Sequence, residues 1–381
     1  MQVEIHRGPP DDLRDVWDEL LAADADATPF ASPEWHSAWW QVWGDRVEPW
    51  LAVVRDGNDV CALAPLAITR HGPIRALRPL TGDHGGHWNV IARPAGRPEA
   101  YTALARALAE RGTEWDTLIL RGLPPASPLA GALQAQGLHV RTAPLQPCPG
   151  LELPRTFEEY LAALPRSRRE NLRRHLRRLD GGTVSLHEVQ GDRDLGRTIA
   201  DGHALRQRQW AVRGKRLYRL HRTSEFRDFL VAAARLLVPK GRMLVWEMRQ
   251  GETLAGVHLN LVDDDTFYVY IPTFEPALAR LGIGKIATAF GIRSSIEAGR
   301  RRFDFGTGGD AYKYFFGARD IGTASIIASG RSTRSRAAFV AADGARRLRG
   351  GREALGGSAS RTRAQAPEVP RADDGLRSGR G

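Results

Sequence analysis

Apolar and polar residues alternate along this chain in an order of strands and helices that occurs twice. Residues 3–6 read as a strand and 11–23 as a helix. A second helix opens at Ser32-Pro33, cap followed by first helical residue, and carries Trp35, Trp39, Trp40 and Trp43. That spacing puts most of the rings on one face and predicts buried packing. Residues 49–55 and 60–69 read as a hairpin across Asp56-Gly57-Asn58, and a third strand precedes the loop 81–89. A helix over 97–111 stops at Gly112, and a strand over 115–121 follows.

The run PLQPCPGLELP, residues 144–154, has four prolines and one glycine in eleven residues and reads as a linker. Beyond it come a helix from Thr156, an arginine-rich helix over 167–179, a strand over 183–189, and helices over 195–212 and 224–237. A meander of strands at 243–249, 253–262 and 266–271 follows. A glycine-bearing turn, an apolar helix ending at Gly299 and the short strand Phe303-Asp304-Phe305 come next. The end of the first half, Gly112-Thr-Glu-Trp115-Asp116, echoes Gly299-Arg-Arg-Arg-Phe303-Asp304 in the second, which supports a tandem duplication. The expected architecture is α/β with mixed sheets, in two similar domains over 1–146 and 147–330. A disordered Arg/Gly-rich tail is expected over 331–381.

At 381 residues the chain can bury two cores of ordinary size. No apolar run approaches the roughly 18–20 residues of a membrane span, no secretory signal is evident at the N-terminus, and two cysteines make no disulfide framework. Cytoplasmic residence is the expectation. The formal charge of +11 suggests a polyanion partner until it is located. Residues 331–381 hold 12 Arg against 5 acidic residues, a net of +7, so the other 330 residues carry +4. That distribution argues against a specific nucleic-acid partner for the folded part.

Arg280-Leu281-Gly282-Ile283-Gly284-Lys285 joins a strand to a helix. Backbone N–H groups at a helix start have no intrahelical partner and, with the helix dipole, favour an anion such as a phosphate. Two of the chain's four lysines, Lys285 and Lys313, lie within this stretch. Lysine offers phosphate a compact charge.

On these residues the second half resembles a GNAT-type acyltransferase domain, and the paired halves resemble the FemAB-like branch. The acetyltransferases associated with cellulose and exopolysaccharide biosynthesis are the nearest pattern. The matching elements are Arg206-x3-Trp210-x3-Gly214, the strand 256–262, the turn Leu281-Gly-Ile-Gly284, and Phe303-Asp-Phe-Gly306…Gly309…Tyr312-Lys313. The resemblance spans roughly residues 30–320. The chain departs from the usual pyrophosphate signature, with Ala279 where Gln or Arg is expected and Arg280 one residue late. The resemblance implies a tandem fold whose second copy binds acyl-CoA, acetyl-CoA by default and without a metal, through residues 280–285. The acceptor then lies between the copies, beside Arg206, Trp210, Lys215 and Tyr270.

An amine must lose a proton before attacking a thioester, and a donor must meet the departing thiolate. His258 in the strand 253–262 reads either as the base or as a hydrogen-bonded core histidine. Asp304 faces away from Phe303 and Phe305 and reads as base, acceptor-orienting group or structural carboxylate. Asp310 falls in the same polar segment. Tyr312 is the candidate thiolate donor, with Tyr314 as substitute, and Lys313 could bind a phosphate or an acceptor carboxylate. The arginine-rich helix reads as a solvated face, or as a surface for a CoA phosphate, a sugar nucleotide or an anionic membrane. The loop Asp83-His84-Gly85-Gly86-His87 has too few ligands for a zinc site and reads as flexible groove lining or structure. The acceptor expected is a small or sugar-linked amine. Aminoacyl transfer from aminoacyl-tRNA to a cell-wall precursor is the alternative within transferases, and a non-catalytic nucleic-acid or membrane-surface module the alternative of another class.

Overall fold

A computed structural model of the chain describes residues 1–144, 147–212, 219–330, 332–341 and 344. The first half runs β1 (Gln2–His6), α1 (Arg14–Ala23), α2 (Pro33–Trp43), β2 (Glu48–Asp56), β3 (Asp59–His71), β4 (Ile74–Pro79), β5 (Ile91–Ala92), α3 (Arg97–Glu110), β6 (Thr117–Leu123), α4 (Leu129–Ala135) and β7 (His139–Pro144). The second begins with β8 (Pro149–Glu152), α5 (Phe157–Ala163), α6 (Arg166–Asp180), β9 (Ser185–Glu188), α7 (Asp192–Val212) and α8 (Ser224–Leu237). It continues with β10 (Met243–Gln250), β11 (Thr253–Val262), β12 (Thr266–Phe274), α9 (Ile283–Glu297), β13 (Arg302–Asp304), α10 (Ala311–Phe315), β14 (Arg319–Asp320) and β15 (Ala324–Ser329). Ser32 caps α2 by accepting from the Trp35 N–H, and Thr156 and Glu159 form a reciprocal capping box at α5.

The architecture is α/β with two mixed sheets. β4 and β6 pair in parallel across α3, as β12 and β13 do across α9, so each half contains the same strand–helix–strand crossover. The two aromatic-Asp echoes sit at the second strand of each crossover. The second half also lends a strand to the sheet of the first. The first sheet has the order β1-β2-β3-β4-β6-β15-β7, and the second β14-β8-β13-β12-β11-β10-β9. The strand between β6 and β7 comes from the end of the second half, and the strand between β13 and β14 from the segment between the halves. The run expected to be only a linker therefore contributes a sheet strand. Its proline Pro149 stands at the first strand position, where a missing N–H is tolerated. A boundary at residue 146 or 147 consequently leaves the first sheet holding β15 of the second half, while β8 stays with its own sheet. Residues 333–341 are helical, with Arg334 3.0 Å from Asp116, while the rest of the tail lies outside the described residues.

One apolar cluster runs through both halves. It joins Trp17, Phe30, Trp35, Trp39 and Trp43 to Phe226, Phe229, Leu230, Tyr268 and Ile271. Trp35 meets Phe229 edge-on at 4.8 Å, so the tryptophan stripe of α2 is where α8 docks. Among the described residues no helix is long and apolar enough to cross a membrane.

Two predictions follow from this packing. Residues 1–146 made without 147–330 lack the internal strand β15 of their sheet, so that piece should be insoluble or lack cooperative melting, and coexpression with 147–330 should restore a folded complex. Circular dichroism melts of the purified products decide this. His36, His84 and His258 are buried, which pulls each from an ordinary 6.5 to about 4. Between those values only the unfolded chain takes up the protons, so urea midpoints should fall as pH drops from 6.5 towards 4 and level off below.

Candidate active site

The expected anion cradle is at a helix start. A 3₁₀ turn over Pro276–Leu281 ends in Gly282, whose φ of 75° and ψ of 36° form the N-cap of α9, and no side chain caps that helix. The ring of His175 on α6 lies against Gly282, so that an added Cβ would stand 2.4 Å from His175 Cε1. Only glycine meets both demands. Arg178, one helical turn beyond His175, donates to the Leu281 carbonyl. Burial first, then the charges of Lys285, Arg178 and Arg174, pull His175 to about 4, so it is neutral at pH 7 beside these cations. The arginine-rich helix thus brings its charge to the turn. Lys285 Nζ lies 4.6 Å from the Phe315 ring centroid, and Arg168 donates to the Tyr314 carbonyl at 3.0 Å, which ties the cradle to α10.

Beside the cradle the parallel pair parts. β12 and β13 are in register only at Thr266–Arg302, Phe267–Phe303 and Tyr268–Asp304, after which β13 ends and β12 continues to Phe274. Asp304 is 3% exposed at this point. Its Oδ2 accepts from His87 Nε2 at 3.0 Å, its Oδ1 from the Gly306 N–H at 2.6 Å, and the Cys148 thiol donates at 3.6 Å. Burial alone would raise the Asp304 carboxyl, but the hydrogen bond and charge of His87 and the Gly306 N–H outweigh it, and the group lies below the usual carboxylate range. Burial and the neighbouring Asp304 carboxylate push the Cys148 thiol up, so it stays protonated. His87 Nε2, Cys148 Sγ and an Asp304 oxygen lie within 4.8 Å of one another, a nitrogen–sulfur–oxygen set that zinc could use. Hydrogen bonds already join all three.

The loop after β13 is pinned rather than open. Lys313 is 3% exposed, and its Nζ donates to the carbonyls of Gly306 at 2.8 Å and Thr307 at 2.9 Å. Gly308 N–H donates to the Pro147 carbonyl at 2.7 Å. Burial lowers the Lys313 amine against the pull of Asp310, Cys148 and Asp304. Lys313 therefore serves the loop, where the sequence suggested a ligand-binding cation. Asp310 is exposed at the N-cap of α10 and Tyr312 is 39% exposed on it. Tyr314 donates to Asp320 at 2.7 Å.

On the face of β12 towards the first half, Tyr270 is the extra residue of a β-bulge between Val269 and Ile271, and its hydroxyl donates to the His84 carbonyl at 2.9 Å. The Arg206 guanidinium on α7 lies 5.8 Å from the Trp210 ring centroid and 3.5 Å from His221 Nδ1, and its charge reaches Tyr270. Arg206, Trp210 and Tyr270 are thus brought together between the halves. Lys215 lies outside the described residues.

His258 is the residue the geometry sets apart. It is 3% exposed, on the face where Gly256 meets Ile283 of α9, and its Nε2 has no hydrogen-bond partner among the described residues. A base must reach the proton it takes, so His258 belongs to the interface between sheet and helix. The 81–89 loop is not flexible lining. Trp88 N–H donates to the Gly122 carbonyl at 3.0 Å, Tyr270 holds the His84 carbonyl, and the His84 ring stacks on Trp43 at 4.3 Å. The partnership of His87 with Asp304, 217 residues apart, had no local signal in the sequence.

Residues 166–314 match the family model described as an acetyltransferase (GNAT) domain. Among solved structures the chain is similar to FemX, at 11% identity over 84% of this chain and 96% of that one, with a TM-score of 0.60. It is also similar to a C-terminal domain assigned to a lysylphosphatidylglycerol synthetase of Agrobacterium fabrum, at 13% identity over 88% and 96%, TM-score 0.55. A third is L-PGS from Bacillus licheniformis, at 13% identity over 91% and 99%, TM-score 0.53. These likenesses show a shared fold along most of the chain. No curated protein matches it.

The loop clamp is directly testable. Lys313→Ala leaves the Gly306 and Thr307 carbonyls unpaired in a buried site, at roughly 1–3 kcal/mol. The variant should unfold at lower urea than wild type, and an unchanged midpoint would mean that Lys313 is free for a ligand.

Proposed function

We propose that the chain is an acyl-CoA-dependent N-acyltransferase, with acetyl-CoA as donor and a small or sugar-linked amine as acceptor. The observation that carries this reading is the uncapped N-terminus of α9, ringed by Lys285, Arg178 and Arg174, beside the point where β12 and β13 part. A diphosphate at the helix start would direct the rest of an extended donor towards that gap. Arg206, Trp210 and Tyr270 then border the acceptor on the opposite face. An acceptor from polysaccharide or cell-envelope synthesis rests on the sequence resemblance alone, and a cytoplasmic location on cysteine usage and the apolar pattern of the sequence. Aminoacyl transfer is the second reading, favoured by the fold shared with FemX and L-PGS. It predicts tRNA binding that weakens steeply with salt.

Calorimetry with acetyl-CoA and free CoA tests the donor. Wild type should bind both, and Gly282→Ala should bind at least about tenfold more weakly. The substitution adds a left-handed backbone cost of roughly 1–2 kcal/mol at the phosphate contact and a clash with His175. Thiol release on addition of amino sugars and primary amines tests transfer. A wild-type protein that ignores CoA while binding tRNA would replace this reading with the second.

A further inference from the structure

We infer that His87, supplied by the first half, is the proton acceptor for the reaction carried out in the second, and that Asp304 positions it. This rests on the acyltransferase reading and adds a catalytic residue to it. An ionised carboxylate can only accept hydrogen bonds, so the 3.0 Å contact with Asp304 Oδ2 requires the proton on His87 Nε2. Nδ1 then carries the lone pair. The His87 side chain is 18% exposed, whereas that of Asp304 is 4% exposed, so of the pair only the imidazole can meet a molecule between the halves. The ring lies 5.7 Å from that of Tyr268 and 6.0 Å from that of Phe30, at the parting of β12 and β13. Phe30 packs against both His87 and Tyr270, which puts the imidazole on the side of β12 bordered by Tyr270. Its backbone is fixed by close packing against Gly122, where a Cβ would come 3.3 Å from His87 Cα. A base held rigidly on the acceptor side of the donor gap meets the geometric demand of general-base catalysis.

The step balances without another reagent. The acceptor enters as an ammonium with three protons. His87 Nδ1 takes one, the amine nitrogen bonds to the thioester carbonyl carbon, and the carbon–sulfur bond breaks. A second proton accompanies the leaving thiolate, the third stays on the amide, and the His87 imidazolium returns its proton to solvent. Asp304, ionised throughout, stabilises that imidazolium.

The full-length protein, labelled with ¹⁵N-histidine, gives a test that needs no acceptor. Long-range ¹H–¹⁵N spectra should show a proton of His87 held on Nε2, the signal identified by its loss in His87→Gln. Asp304→Asn should abolish the fixed tautomer. Diethyl pyrocarbonate followed by peptide mass spectrometry should modify His87 and spare His36 and His258. A proton on Nδ1, an unreactive His87, or stoichiometric zinc in the purified protein would each overturn the proposal. With acetyl-CoA and the amine that gives the fastest thiol release, His87→Gln should lower kcat about 100- to 10,000-fold. Its KM for acetyl-CoA and its calorimetric affinity should stay at wild-type values. Asp304→Asn should lower kcat in the same pattern. Full kcat in His87→Gln refutes the base, whereas a wild type that releases no thiol with any amine refutes the acyltransferase reading and leaves the spectra and modification to judge His87.

Discussion

A strand lent by the end of the second half to the sheet of the first is the constraint on which the rest of the structure depends. β15 carries its backbone hydrogen bonds to β6 and β7, so the first sheet is not continuous until both halves are present, and β8, at the start of the second half, pairs with β13 and β14. The placement of β8 also sets the site. β8 is paired with β13 through Gly150 and Asp304, which delivers the preceding Cys148 to the carboxylate and Pro147 to the glycine loop. The aromatic cluster of α2 and α8 presses the first half onto the same face of β12. That pressure brings His87 within hydrogen-bonding distance of Asp304. A chain with two independent domains on a free linker would have no reason to hold a 3.0 Å contact across the join.

Charge is distributed with similar economy. The basic helix α6 has an apolar line of Leu172 and Leu176 in the core, which commits its orientation. Once that line is buried, Arg168 and Arg178 reach the two segments that frame the donor gap, the end of α10 at Tyr314 and the turn before α9. A neutral His175 fits this position better than a charged one, because an imidazolium under Gly282 would add repulsion to an already cationic surface. The anion-seeking character of the turn therefore comes from backbone and arginine together.

Much of this was legible in the sequence and part was not, for identifiable reasons. Helices with a cap and an apolar stripe, such as α2 and α8, declare themselves over ten or more residues, and their limits followed from Ser32-Pro33 and from the period alone. The glycine turn at Gly282 was visible because its chemistry is local. β8 and β15 were not. Four residues among prolines and six of Ala, Ser and Ile carry too little alternation to separate strand from loop, and their pairing partners lie more than 140 residues away. Site residues divide along the same line. Asp304 was found because it interrupts two phenylalanines, while its partner His87 was read only as part of a loop that lines the groove or serves structure. His258 looked like a base from its type and strand position, and only burial showed that no acceptor reaches it.

The buried polar network also argues about purpose. Asp304, Cys148 and Lys313 are all nearly inaccessible, and burying two charged groups costs several kcal/mol unless hydrogen bonds return most of it. Each group is satisfied, but by different partners. Lys313 is spent on two loop carbonyls and Cys148 on the carboxylate, whereas the His87 side chain, hydrogen-bonded through one ring nitrogen, stays 18% exposed. A network built only for stability would bury its last member as well. The one member left partly exposed is an imidazole, the side chain most often used for proton transfer in catalysis.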